Sequence, residues 1–118
     1  MDFDTFTIAL LVLQPDAPQL DEEASAALQD AHMTHLAELH EAGHLLAAGP
    51  LLGGADEAFR GLSILSVGPE QALELKQADP AVQAGRYSIK VLPWMVPSGA
   101  MNFAPTRFPR SVAEAQGK

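Results

Sequence analysis

Four histidines, His32, His35, His40 and His44, fall within one 21-residue run from Asp30 to Pro50, and the chain contains no cysteine. Thiolate chemistry and cysteine-ligated metal sites are therefore excluded, and any catalysis must use imidazole, carboxylate, hydroxyl or amine groups. At 3.6 residues per turn, Leu28, His32, His35, Leu36 and Leu39 share one stripe of a helix, so two imidazoles stand where aliphatic side chains normally pack. Burying such a ring without a partner costs about 1–3 kcal/mol. Some group must face it. The partner is either a backbone carbonyl, which makes the histidine structural, or a carboxylate, which fixes the tautomer and makes a general base or acid near neutral pH. Asp79 is the candidate carboxylate, because it follows a second apolar helix that packs beside the first; its local alternative is a turn former ahead of Pro80.

The spacings His32/His35 and His40/His44 would each suit two metal ligands on one helix face, and a metal site built from His32, His35 and Asp79 is a third possibility. The helical angles argue against a shared site for all four: His40 lies about 80° around the axis from His32, and His44 follows the Gly43 break. His40 and His44 are expected as surface residues at a helix C-terminus, where a cation is favourable. No metal and no cofactor are expected.

These side chains need a scaffold, and the rest of the chain describes one. Thr5 to Gln14 has the composition of a strand, with Phe6, Ile8, Leu10 and Val12 on one side and Ala9, Leu11 and Leu13 on the other. A strand apolar on both faces is covered on both. After the two-proline connector from Pro15 to Leu20, Asp21 caps a helix with Glu22 and Glu23 in its first turn, and Gly43 ends it. His44 to Leu52 and Phe59 to Val67 form a hairpin around a loop at Gly53 to Glu57. Gly49-Pro50 marks a bend in its first strand. Gly68-Pro69 opens a second helix that Pro80 terminates, Asp79 caps a short turn from Ala81 to Ala84, and Tyr87 to Leu92 is a last strand stopped by Pro93. The order βαββαβ predicts an α+β, ferredoxin-like fold: a four-stranded antiparallel sheet with two helices on one face. Residues 1–94 form this domain. Residues 95–118 are a C-terminal arm packing on its own or a neighbouring subunit, with a short helix near Ser111 to Gln116.

The length of 118 residues suits one domain, and 47% hydrophobic with 19% charged residues suits a packed core. A net charge of -8 with only seven Lys and Arg argues against nucleic acid and anionic membrane as partners, and neither is expected. The apolar run Ile8 to Leu13 is too short to span a bilayer and follows acidic residues, so a cytoplasmic location is expected.

His35-Leu36, Leu39, the run Gly43-His-Leu-Leu-Ala-Ala-Gly-Pro50 and the run Asp79-Pro80 to Gly85-Arg-Tyr87 together resemble the YciI-like (YCII-related) family over roughly residues 5–94. The resemblance implies that two ferredoxin-like sheets pack face to face as a homodimeric α/β barrel. It also implies a small-molecule enzyme using a paired His and Asp, and it places those roles on His35 and Asp79. His32 matches no motif of the family. One member type removes chloride from a chlorinated hydroxyquinol, so isomerase, lyase or dehydrohalogenase-like steps on small ring compounds are in scope. The expected pocket lies between helices and sheet, with His32, Gly49, Pro50 and Ser63 as lining and Trp94 or the arm as a lid. The alternative is a non-catalytic module that binds a metabolite in the same pocket.

Overall fold

The structure is a computed structural model that describes residues 1–53 and 58–117. Its sheet contains β1 (Phe3–Leu13), β2 (Leu45–Pro50), β3 (Phe59–Leu65) and β4 (Tyr87–Pro97) in the order β2-β3-β1-β4, all neighbours antiparallel. The helices are α1 (Glu22–Glu41), α2 (Pro69–Gln77) and two single-turn pieces, α3 (Pro80–Gln83) and α4 (Val112–Ala115). The fold is ferredoxin-like. Of the expected hairpin loop, residues 54–57 lie outside the described residues.

The local signals act as their chemistry requires. Asp21 accepts the Ala24 amide at 2.7 Å, which satisfies one of the free N–H groups of the first turn of α1. Gly43, just past the last turn, takes φ +84°, a left-handed conformation that lets the chain reverse into β2. Asp79 is extended at φ -61°, ψ 129°, as the residue before a proline prefers, so the chain leaves α2 and restarts as α3.

Ala9, Leu39, Leu45, Leu65 and Ala72 form the centre of the core, joining α1 and α2 to the sheet. Thr7, Ala9 and Leu11 of β1 are buried on this side. Phe6, Ile8 and Leu10 point to the other face. There they stand opposite Trp94, Leu92 and Lys90 of β4, while Ile8 and Leu10 also oppose Ile64 and Leu62 of β3. They are only half-buried, and Leu92 is exposed.

All four strands have an end that differs from the sequence expectation, most of them by one or two residues. The last strand does not stop at Pro93 but continues to Pro97, because β4 is an edge strand and a proline there removes no donor that the sheet needs. β2 is shorter than expected and irregular between Leu45 and Ala47.

The arm after β4 first places the Phe103 ring edge-on against Phe6, centroids 5.4 Å apart, and then follows α1. The Thr34 hydroxyl donates to the Arg110 carbonyl, the Arg110 guanidinium pairs with Glu41, and Asp30 accepts the Val112 amide. Among the described residues no helix is long and apolar enough to cross a membrane.

Candidate functional site

The turn between α2 and α3 puts the Asp79 carboxylate beneath α1. It is completely buried, and each oxygen has a donor: Oδ1 accepts the Ala81 amide at 2.8 Å, and Oδ2 accepts His32 Nδ1 at 2.6 Å. Burial pushes the Asp79 carboxyl upward. The His32 hydrogen bond and charge, the Ala81 amide and the Lys76 ammonium together outweigh it and hold the group below its ordinary value. Asp79 is therefore a carboxylate at neutral pH, and Nδ1 of His32 is the donating nitrogen. Nε2 has no partner among the described residues. The His32 side chain retains 12% exposure and lines a cavity of about 560 Å³.

The expected partnership of His35 with Asp79 is corrected here. His35 Nε2 donates instead to the Leu75 carbonyl at 3.0 Å. Leu75 belongs to the last turn of α2, whose carbonyls have no partner within the helix, so His35 satisfies one of them and ties α1 to α2. One turn earlier along α1, His32 meets the cap of α3. The two histidines thus divide the two alternatives set out from sequence: His35 is held by a carbonyl, His32 by the carboxylate.

A third ionisable group completes the cluster. Lys76 lies one turn after Ala72 on the inward stripe of α2; both are fully buried, and Lys76 Nζ donates to Ser63 Oγ at 3.1 Å. Burial lowers its pKa, the Asp79 charge partly restores it, and the result is about 8. Lys76 is not among the residues expected from sequence, although its i, i+4 relation to Ala72 on an apolar stripe is a signal for it.

The cavity is lined by His32, Gly49, Pro50 and Ser63, together with Tyr87 and Phe108. Trp94 is not among its walls, which corrects its expected role. β4 places Trp94 opposite Phe6, the ring centroids 6.4 Å apart, on the sheet face that points away from the helices. Phe108, Pro109 and Ala115 of the arm reach the cavity instead.

His40 is also not the free surface residue expected. Its Nδ1 donates to the Leu45 carbonyl at 2.7 Å, its Nε2 accepts the Thr106 amide at 3.3 Å, and its ring stacks on Phe108 at 4.1 Å. The run His40-Glu41-Ala42-Gly43-His44 spells the helical zinc motif His-Glu-x-x-His, but α1 ends at Glu41 and Gly43 reverses the chain. The two rings therefore do not share one helix face. Among the described residues no three His, Asp or Glu side chains converge as a metal site, and His35 has turned away from the His32–Asp79 pair.

Comparison with known proteins agrees with this architecture. The YCII-related domain family model matches residues 8–95. Among solved structures, the chain is similar to 5-chloro-2-hydroxyhydroquinone dehydrochlorinase from Burkholderia phenoliruptrix AC1100, in complex with 2,5-dihydroxybenzoquinone. The TM-score is 0.52 and the identity 20%, over 75% of this chain and 92% of that one. A protein from Arabidopsis thaliana matches at TM-score 0.37 and 13% identity, over 84% of this chain and 99% of that one. No curated protein sequence matches.

Proposed function

The chain belongs to the YCII-related domain family, and from that premise we propose that it is a small-molecule enzyme whose general base and acid is His32, oriented by Asp79. The observation that carries the proposal is the 2.6 Å bond from His32 Nδ1 to a fully buried carboxylate, at the wall of a cavity large enough for a single-ring compound. That bond fixes the tautomer with the lone pair on Nε2, and it stabilises the imidazolium once Nε2 has taken a proton. Abstraction of a proton from a small cyclic or aromatic substrate then leads to isomerisation or to loss of a leaving group. The structural neighbour acts on a chlorinated hydroxyhydroquinone, which makes hydroxylated and chlorinated rings the first substrates to try.

Two further features belong to the same proposal. The half-buried face of Phe6, Ile8, Leu10, Leu62 and Ile64 associates with the same face of a second copy to form the barrel. The arm closes one side of the cavity through Phe108 and Pro109.

The test is turnover against a panel of hydroxylated and chlorinated phenols, lactones and small acids. His32→Gln is expected to lose about 10²–10⁴-fold in kcat, the contribution of a general base. His35→Gln retains kcat, since that residue bonds only a backbone carbonyl. Equal losses in the two variants, or full activity in His32→Gln, would overturn the assignment. Tight binding of panel members without turnover would favour the metabolite-binding module.

A further inference from the structure

Ser63 and Lys76 are the buried polar pair that proton transfer through His32 does not use. Ser63 stands on β3 between Ala9 of β1 and Ala48 of β2, so its neighbours across the sheet are small and its hydroxyl reaches the cavity wall. Lys76 does not line the cavity; it approaches from the α2 side and donates to Ser63 Oγ at 3.1 Å. An ammonium that donates to a hydroxyl oxygen directs the hydroxyl hydrogen elsewhere and makes it a stronger donor. The Ser63 hydrogen has no acceptor among the described residues, and Ser63 is 2% exposed. A buried hydroxyl whose oxygen accepts from Lys76 and whose hydrogen is left over, on a cavity wall, is prepared for a ligand acceptor.

Charge balance identifies that acceptor. With Asp79 ionised, Lys76 protonated and His32 neutral, the buried cluster carries no net charge. When His32 accepts a proton, its imidazolium is neutralised by Asp79, and Lys76 is left as a buried cation. Only negative charge on the substrate can restore the balance, and Ser63 is the group through which Lys76 meets it.

We propose that Ser63 is the hydrogen-bond donor to a substrate oxygen that becomes negative in the reaction, that Lys76 positions and polarises Ser63, and that the substrates are accordingly phenols or enolisable carbonyl compounds. The proposal rests on His32 as the base. In the step itself the C–H or O–H bond of the substrate breaks, the proton forms a bond to His32 Nε2, and the electron pair is delocalised onto the oxygen facing Ser63. No co-reactant is needed.

The arrangement separates this donor role from that of a serine nucleophile. A nucleophilic Ser63 would need an amine that accepts its proton, whereas an ammonium can only donate. Burial does place the Lys76 pKa at about 8, so the donor form prevails at neutral pH and is lost on the alkaline side.

The probe is 4-nitrophenol, whose ionised form absorbs visible light, so the protonation state of the bound molecule is read directly. The wild-type chain is expected to bind the phenolate about tenfold more tightly than the phenol, equivalent to lowering the pKa of the bound molecule by about one unit. Ser63→Ala and Lys76→Met abolish the preference, while Ser63→Thr keeps it. In the wild type, phenolate affinity falls as pH rises through about 8, and Lys76→Met removes this pH dependence. His32→Gln has no imidazolium to balance and so reads the Ser63 donor alone: it is expected to keep a weakened phenolate preference, which Ser63→Ala in the same background abolishes, even though it loses turnover, and this separates failure of the proposal from failure of the base assignment. Denaturation curves of each variant verify that it is folded. Absence of 4-nitrophenol binding, binding without preference for the anion, survival of the preference in Ser63→Ala, or acylation of Ser63 by 4-nitrophenyl acetate would each overturn it.

Discussion

The two faces of one sheet divide the work of this molecule. Toward the helices, β1 presents Thr7, Ala9 and Leu11, and β3 presents Ser63 and Leu65; toward the other side, the same strands present Phe6, Ile8 and Leu10 with Leu62 and Ile64. The smaller and more polar set is the more deeply buried, and the larger apolar set is left half-covered. On the helix side, small residues leave room for His32, Asp79 and Lys76, three ionisable groups whose desolvation is costly unless each has partners. On the opposite side β1 and β3 offer apolar area, with Lys90 of β4 at its margin. The ionisable cluster lies where burial is costly, and the half-covered apolar area lies where no helix collects it. This is the distribution expected if the second face gains its stabilisation from association and the first spends stability on a reactive cluster.

Three measurements would break or sharpen that contrast. The largest effect belongs to Asp79→Ala, which strips His32 of its partner and leaves Lys76 as a buried cation without its counter-charge. Chemical denaturation is expected to show a loss of about 3–5 kcal/mol, and a loss below 1 kcal/mol would mean that the polar cluster is solvated and not built as described. Next is Ile64→Asp on the open face, away from the cavity. It is expected to weaken self-association by at least about a hundredfold, or about 3 kcal/mol, read by sedimentation equilibrium; a wild-type chain that sediments as a monomer at every concentration removes the proposed barrel.

The smallest effect has the opposite sign. Lys76→Met is expected to stabilise the fold by about 1–3 kcal/mol at pH 7, because it removes a buried ammonium while Asp79 keeps His32 and the Ala81 amide. The sign follows from linkage. Lys76 has a folded pKa of about 8, against an ordinary value of 10.5, so between those limits the unfolded chain binds more protons and wild-type stability rises with pH. The penalty is complete below about pH 8 and disappears toward 10.5, so the advantage of the variant narrows across that window. A variant less stable than the wild type at pH 7 would show that Lys76 supports the fold instead of costing it stability.

Much of the architecture is written in local signals. Asp21 and Gly43 bound α1, Asp79-Pro80 separates α2 from α3, and the alternation along β1 gives the strand two apolar faces, of which the helices bury one. Gly49, Pro50 and Ser63 are also legible as cavity lining, since the hairpin that carries them follows directly from α1. The choice between His32 and His35 is not. Residues three apart on a helix lie within about 60° of one another and share a face, so periodicity admits both to the interior without saying what each will meet.

What decides the choice is where α2 stops against α1. The last free carbonyls of α2 fall beside His35, and the cap of α3 falls beside His32. Trp94 and Lys76 teach the same lesson. Trp94 follows a proline that would end most strands, yet an edge position lets β4 continue and register sends the ring to the open face; Lys76 is hydrophilic by composition but sits on the buried stripe and ends at Ser63. Sequence determines which faces exist, because the periods of helix and strand are properties of the backbone. Tertiary structure alone decides which side chains meet across them, because a single helix turn, about 5.4 Å along the axis, is enough to exchange a carbonyl for a carboxylate.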